Sequence, residues 1–412
     1  MRVDIREVNL FLNYLSDALN ADNLSFVRGI TTDSRDIKEN DLFLAIKGEN
    51  FDGCDFIDEA LSNGAVYAIT ESVHDSDNVF TVDNVIDFIG KICYKWMADF
   101  DGKTIAITGS NGKTTTKDLI SHILSKNGYN VSKTEGNFNT SIGVPLTIFS
   151  FSNDPSQIYV LELGANQVGD IDYLSSIVKP DIGIVTNISG AHLEGFGSIE
   201  NIRKEKKSIF NHSKKGYYGD EIETSVNLSN HPFANNKVFL KNASIVYEVC
   251  KDFIDKNNQE KFSRLIEDFV LPKGRGQAYS LSRGIVLIDD TYNANPESVK
   301  AAIDNLSRHQ TRGRRLFIFG DMKELGENEL DLHKNIADYC EEKIDGIICY
   351  GDLAKNTFNN SKSIPLRLHF DNKDALVAKV CSLLQNYDII MLKASRSMKL
   401  DSVVEDIKNH VK

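Results

Sequence analysis

This 412-residue chain lacks the marks of several protein classes. Its six cysteines, at 54, 93, 250, 340, 349 and 381, form no C-x-x-C pair and no Cys/His cluster of zinc spacing. That argues against a disulfide scaffold or a zinc module, and a reducing compartment fits. No stretch approaches the ~18 consecutive apolar residues of a membrane span. Residues 1–15 contain neither the apolar core nor the small-residue cleavage site of a secretory signal. The expected location is the cytoplasm. Internal repeats and low-complexity tracts are also missing. Positive charge is in deficit: 47 lysines and arginines face 59 aspartates and glutamates, a formal net charge of −12. Such a field repels a phosphate-rich polymer, so nucleic acid is not an expected partner. Basic residues should instead gather locally, where a small anionic ligand binds.

Hydrophobic residues make up 41% and charged residues 26%, ordinary values for a globular protein. At ~100–200 residues per domain, the length predicts two to four domains. Pattern separates three, over residues 1–84, 85–280 and 281–412. In the first, strand-like runs at Asp41–Ile46 and Ala65–Thr70 flank a helical stretch from Phe56 to Asn63. In the second, Thr104–Thr108, Gln157–Leu163 and Asp181–Asn187 are apolar runs separated by helical segments at 114–127 and 169–178. Runs without polar alternation indicate a parallel sheet covered on both faces. In the third, Gly284–Asp289, Arg315–Gly320, Gly346–Tyr350 and Asp388–Leu392 alternate with helices, the pattern of a doubly wound sheet. The predicted fold is α/β in three domains: a small amino-terminal α/β domain, a central phosphate-loop domain with a parallel sheet, and a carboxyl-terminal Rossmann-like α/β domain. Residues 211–272, rich in Asn and Lys, are the least legible; they predict one helix, at about 241–256.

Thr108 to Thr116 follows a buried strand and opens a helix. Gly109, Ser110, Asn111, Gly112, Lys113, Thr114 and Thr115 would then form a phosphate-binding turn. Backbone N–H groups and the positive end of the helix dipole point at the anion. Lys113 would reach the β- and γ-phosphates of ATP, and the Thr114 hydroxyl would hold Mg²⁺. The spacing departs from G-x-x-x-x-G-K-[ST], because position 107 is Ile and the first glycine falls at 109. A plain two-glycine turn is the alternative; the order Gly-Lys-Thr-Thr after a buried strand argues against it. Glu162 ends a buried strand at the same carboxyl edge, where open α/β sheets bind ligands. It is a candidate Mg²⁺ ligand, against the plainer reading of a strand-end cap. His192 lies in a loop with glycines at 190, 195 and 197, where backbone can approach a ligand closely.

These segments resemble the Mur ligases, which build the peptide of bacterial cell-wall precursors. Residues 108–115 resemble that family's ATP loop. Gly136-Asn137-Phe138-Asn139, Ile142–Pro145, Glu162–Asn166, Asn187–Gly197, Asp290–Pro296, Gly320–Gly326 and Lys393–Ser397 are similar to the branch that adds D-alanyl-D-alanine. The resemblance covers most of the chain outside 211–272. It implies an ATP-dependent ligase with two Mg²⁺ ions. Such an enzyme joins D-alanyl-D-alanine to the terminal carboxylate of UDP-N-acetylmuramoyl-tripeptide through an acyl phosphate. A monomer without a membrane span is expected.

The resemblance also distributes roles. Lys113, His192 and Lys206 would be catalytic. Thr114 and Glu162 would hold one Mg²⁺, and His192 and Lys206 the second, with Lys206 as a carbamate; Lys204 and Lys207 lie in the same basic run. Arg275, in Gly274-Arg275-Gly276, would contact an ATP phosphate, and Asp290 the ribose hydroxyls. Asn293 and Asn295 follow at a strand-to-helix turn, where adenine contact and helix capping are equally open. Ser34, Arg35, Lys47 and Gly48 would bind uridine diphosphate. Asn137, Asn139, Ser395 and Arg396 would bind the peptide substrate and its carboxylate.

In one segment the chain departs from the family pattern. Residues 211–272 are contracted, and Asn242-Ala243 stands as a remnant of an adenine-side helix start, with Phe239 in place of an Asn. Two other functions deserve weighing. One is a related ligase for a different amine, a single amino acid or glutamate on a folate-like acceptor. The other is a nucleotide-binding partner of cell-wall synthesis without catalysis. Asp33-Ser34-Arg35 and Gly136–Asn139 argue against the first; Lys113, Glu162, His192 and Lys206 argue against the second.

Overall fold

A computed structural model describes the chain except residues 49–50, 191–192, 229–230, 232–235, 255–257, 310–312 and 411–412. Three sheets form among the described residues, each accompanied by helices. The amino-terminal sheet runs in chain order through β1 (Arg2–Asp4), β2 (Gly29–Thr31), β3 (Asp41–Leu44), β4 (Ala65–Thr70) and β5 (Val79–Thr81). Only β1 is antiparallel to its neighbour. The central sheet contains β6 (Lys103–Thr108), β7 (Asn130–Lys133), β8 (Gln157–Glu162), β9 (Ile182–Val185) and β10 (Lys215–Tyr218), in the order β10-β9-β6-β8-β7. Strands β6 to β9 pair in parallel. The carboxyl-terminal sheet contains β11 (Gln277–Ser280), β12 (Val286–Asp290), β13 (Arg315–Gly320), β14 (Gly346–Tyr350), β15 (Leu366–Phe370) and β16 (Ile389–Lys393). Its order is β11-β12-β16-β13-β14-β15, parallel except for β11. The predicted α/β class with parallel sheets is borne out.

The chain divides into two compact units. One comprises residues 1–108, 124–185 and 205–217; the other comprises 109–123, 186–204 and 218–412. The first is held by an aromatic cluster. Phe11 meets Phe149 edge-on at 5.0 Å, Trp96 meets Phe149 at 5.4 Å, and Phe100 stacks on Tyr159 at 3.9 Å. Helices Val8–Leu19, Val85–Ala98 and Gly143–Phe149 are joined there. Each such ring contributes ~1.5–3 kcal/mol by leaving water.

The second unit shows why an apolar run without alternation makes a two-sided strand. Leu316 and Ile318 enter the core on one face of the carboxyl-terminal sheet, and Phe317 and Phe319 the core on the other. In β16, Ile390 and Leu392 take the first face, Ile389 and Met391 the second. Successive side chains of a strand point to opposite faces, so both must be apolar.

Residues 211–272 differ from expectation. Among the described residues two α-helices form there, Lys237–Cys250 and Gln259–Ile266, instead of one near 241–256. Each is started by an asparagine cap: Asn236 accepts from Phe239 N, and Asn258 from Lys261 N. Asn242 therefore lies inside the first helix, not at its start.

Candidate active site

Strand β6 delivers the chain into the turn Gly109–Gly112, and the helix Lys113–Lys126 begins at once. Gly109 has φ +144° and Gly112 φ +81°, conformations that favour glycine. Both are also crowded. A Cβ at Gly109 would stand 2.0 Å from Thr186 Oγ1, and one at Gly112 2.8 Å from Asn242 Oδ1.

The turn is knit to the residues that follow β9. Ser110 N donates to Asn187 O at 3.0 Å, and Asn111 N to Asn187 Oδ1 at 2.8 Å. Ser110 Oγ donates to Ser189 O at 3.0 Å and accepts from Ser189 N at 2.9 Å. Asn111 Nδ2 donates to Ser189 Oγ at 3.0 Å, and Thr186 Oγ1 donates to Asn111 O at 2.6 Å. Lys113 Nζ reaches back over the turn to Gly109 O at 2.7 Å and Ser110 O at 3.4 Å. Thr115 is buried.

The same unit brings Arg275 and Asn295 to this turn. Arg275 Nη2 donates to Thr114 Oγ1 at 2.9 Å. Asn295 caps the helix Pro296–Arg308: its Oδ1 accepts from Ser298 N at 2.8 Å, and its own N donates to Ser298 Oγ at 3.0 Å. Its Nδ2 donates to Asn111 Oδ1 at 2.9 Å. Of the two open readings for Asn295, capping is realised, and the same amide also touches the turn.

Four more candidates of this unit, Asp290, Asn293, Ser395 and Arg396, are each engaged by neighbouring residues. Asn293 Oδ1 accepts from Ala294 N at 2.9 Å. Lys393 Nζ, buried, donates to Asn293 O and pairs with Asp290, both at 2.9 Å. Ser395 Oγ accepts from Lys323 N at 2.8 Å, and Arg396 pairs with Asp401 at 3.1 Å.

In the other unit, Glu162 closes β8 opposite Ile107 of β6. It is 2% exposed. Its Oε1 accepts from Asn139 Nδ2 at 2.8 Å, and its N donates to Thr134 Oγ1 at 3.0 Å. Asn139, expected on the peptide substrate, thus orients a candidate metal ligand; Asn137 is exposed. The basic run resolves by burial: Lys204 is exposed, Lys207 is half-buried and Lys206 is 2% exposed. Neighbouring Glu205 accepts from Gly169 N at 2.7 Å and Ile171 N at 2.6 Å. That places a carboxylate at the positive end of the helix Asp170–Val178. His192 lies outside the described residues.

The amino-terminal candidates are looser. Ser34 is buried, but Arg35 is 83% exposed. Arg35 clasps Asp33 with two 2.8 Å bonds, and its guanidinium holds that carboxyl well below the usual carboxylate range. Lys47 is 74% exposed, 3.9 Å from Asp52. Gly48 N donates to Phe51 O at 2.9 Å.

The sequence alone does not assign Thr186, Asn187, Ser189 or Asn242 as partners of the turn. The available signal was position: Asn187 and Ser189 directly follow an apolar strand, at the sheet edge where ligands bind. Among the described residues, no three His, Cys, Asp or Glu side chains gather as a metal cluster. The donors that fit Mg²⁺ are a hydroxyl, Thr114, and a carboxylate, Glu162, both hard oxygens. No helix among the described residues is long and apolar enough to cross a membrane.

A glycine-built turn between a parallel strand and a helix is the arrangement found in phosphate-binding α/β proteins. Three family models carry the assignment further. The Mur ligase family catalytic domain matches residues 26–89, the Mur ligase middle domain 107–261, and the Mur ligase glutamate ligase domain 274–396. The chain belongs to the Mur ligase family. It is 30% identical to the UDP-N-acetylmuramoyl-tripeptide–D-alanyl-D-alanine ligase of Bacillus subtilis (strain 168), over 92% of this chain and 93% of that protein. Among solved structures it is similar to MurF from Acinetobacter baumannii, with TM-score 0.83, 26% identity and coverage of 96% and 98%. It is also similar to the MurF ligase of Thermotoga maritima in complex with ADP, with TM-score 0.79, 27% identity and coverage of 93% and 97%.

Proposed function

We propose that this chain joins D-alanyl-D-alanine to the terminal carboxylate of UDP-N-acetylmuramoyl-tripeptide, using ATP, in the cytoplasm and as a monomer. One observation carries the reading above all. The phosphate turn sits in a chain that aligns over nine-tenths of its length with a protein of that name. The proposal keeps the division into residues 1–84 for the uridine nucleotide, 85–280 for ATP and 281–412 as the ligase domain.

The reaction needs two displacements. A carboxylate oxygen of the tripeptide attacks the γ-phosphorus of ATP, and ADP leaves with the electron pair of the broken P–O bond. The dipeptide amine then attacks the acyl carbon, loses a proton, and inorganic phosphate departs. The protein's part is positioning and neutralisation of charge. Lys113 and Arg275 supply fixed cations at the turn. Ser110 and Asn111 hold its shape through Asn187, Ser189 and Asn295. Asp290 is assigned to the ribose, and Asn293 and Asn295 to the adenine side. Ser34, Arg35, Lys47 and Gly48 are assigned to the uridine diphosphate, and Asn137, Ser395 and Arg396 to the peptide.

Two Mg²⁺ ions would offset the charge that builds on the transferring phosphoryl group. Thr114 and Glu162 would hold one, and His192 and Lys206 the second. Of the three clustered lysines, Lys206 is the one removed from water. Carbamylation, in which a neutral amine adds to carbon dioxide and loses a proton, suits such a nitrogen and would make it an anionic oxygen donor.

The test is phosphate release from ATP with D-alanyl-D-alanine and the nucleotide tripeptide, against each omitted in turn. Release should require both. Release that needs neither defeats the ligase reading, and release with another amine in place of the dipeptide reassigns the substrate.

A further inference from the structure

Arg275 reaches the turn from outside it on a long side chain, by way of Thr114 Oγ1. The fold supplies a clasp from residues 289–292. Asp289, fully buried, accepts from Gly274 N at 3.2 Å through its carboxylate and from Gly276 N at 2.8 Å through its carbonyl. Its other carboxylate oxygen is held by Thr291 Oγ1 at 2.6 Å and Thr291 N at 3.2 Å. Tyr292 N donates to Gly274 O at 2.9 Å. A Cβ at Gly274, where φ is +75°, would come within 3.0 Å of Tyr292 N. The two backbones therefore touch on both sides of Arg275.

The Tyr292 ring completes the arrangement. The Arg275 guanidinium carbon lies 3.8 Å from the ring centroid, well inside the ~6 Å reach of a cation–π contact. From there Nη2 extends 2.9 Å to Thr114 Oγ1. A second cation, Arg396, stands 5.9 Å from the same ring, but it already pairs with Asp401 at 3.1 Å. The ring thus serves Arg275 first.

From this geometry we infer that Tyr292 is a positioning residue for ATP: its ring face holds the Arg275 guanidinium on line with the phosphate turn. The inference rests on the proposed use of ATP. It adds a role for an aromatic side chain that the loop chemistry itself does not require. Asp289 holds the backbone of Gly274 and Gly276, and Tyr292 acts on the guanidinium itself.

The experiment is a double-mutant cycle read two ways, by affinity for Mg²⁺ with the ATP analogue AMP-PNP and by KM for ATP in ligation. Tyr292→Leu should weaken both by about tenfold, between the exposed and desolvated limits of a cation–π contact for this half-buried pair. Tyr292→Phe keeps the ring face and should recover most of that loss. In an Arg275→Ala background, Tyr292→Leu should cost less than about twofold more, because the group it orients is gone. Tyr292→Met serves in the cycle if the leucine variant does not fold. Equal losses with and without Arg275, or a phenylalanine variant as impaired as leucine, would overturn the inference. Wild-type protein that binds AMP-PNP but does not ligate would defeat the ligase reading alone, and the cycle is then judged on affinity. Wild-type protein that binds no AMP-PNP would overturn both.

Discussion

At the turn Gly109–Gly112, Ser110 and Asn111 are tied by hydrogen bonds to Asn187, Ser189 and Asn295. At residues 33–48, by contrast, Arg35 and Lys47 stand 83% and 74% exposed beside aspartates close in sequence. Both regions are assigned to phosphate groups, yet they are built from different materials. The first uses backbone, amides and hydroxyls locked by partners distant in the chain. The second uses full charges on long side chains that water screens. A substitution in the first should disturb shape and chemistry together. A substitution in the second should mostly remove a screened attraction.

Lys113→Ala tests the strong side of that contrast. Ligation should fall by at least ~10²-fold, the scale of losing one fixed donor at a developing charge, while the melting temperature stays close to wild type. Full activity would remove Lys113 from the chemistry. Gly109→Ala comes next. The new Cβ would strike Thr186 Oγ1, which cannot yield without giving up its bond to Asn111 O. Nucleotide binding should be lost along with ~1–3 kcal/mol of stability, read by AMP-PNP titration and denaturant unfolding. Normal binding would mean the turn is softer than its hydrogen bonds suggest.

Lys206→Ala should abolish most activity, with partial recovery by added short carboxylates, whereas Lys204→Ala should leave turnover near wild type. Equal activity in the Lys206 variant would move the carbamate to a neighbouring lysine. Arg35→Ala tests the weak side. KM for the uridine nucleotide should rise about two- to fivefold, and the difference from wild type should shrink as salt is raised. A loss as large as that of Lys113→Ala would erase the contrast.

The smallest effect concerns pH. His333 is buried, and its Nε2 accepts from Met322 N at 2.9 Å, which requires the neutral ring. Burial lowers its pKa from the ordinary 6.5, against weaker upward pulls from Glu329 and Asp321. The unfolded chain therefore takes up the proton first. Stability from this group is complete above about pH 6.5 and is lost as pH falls towards the folded value, by at most ~1.4 kcal/mol per pH unit. Unfolding curves of His333→Gln should lack that component between pH 5 and 7; an unchanged pH slope would assign it to other groups.

The elements legible in the sequence were those buried on both faces. β4, β6, β8, β13, β14 and β16 lie on apolar runs of the sequence, because a strand covered on both faces must be apolar throughout. β7, with Asn130, Ser132 and Lys133, is an edge strand whose polar residues hid it. β15 alternates Leu366, Arg367 and Leu368 at an edge of the carboxyl-terminal sheet, and its polar positions hide it in the same way. In residues 211–272 the helix starts are set by single asparagines, Asn236 and Asn258, within a segment rich in asparagine. At the candidate site, motif order singled out the turn, Arg275 and Asn295. That Asn295 would cap a helix and reach Asn111 at once depends on spacing in three dimensions that no single sequence displays.

The pair Ser110 and Ser189 exchanges two hydrogen bonds, one in each direction. A turn closed in this way has little conformational freedom left to lose when a nucleotide arrives. Ordering a loop during association costs entropy that would otherwise be subtracted from affinity. Here that ordering is already accomplished by folding. Calorimetry of nucleotide binding should accordingly carry the signature of contacts made by a rigid surface, with the ordering penalty confined to Lys113 and to whatever the exposed cations near residue 35 must do for the other substrate.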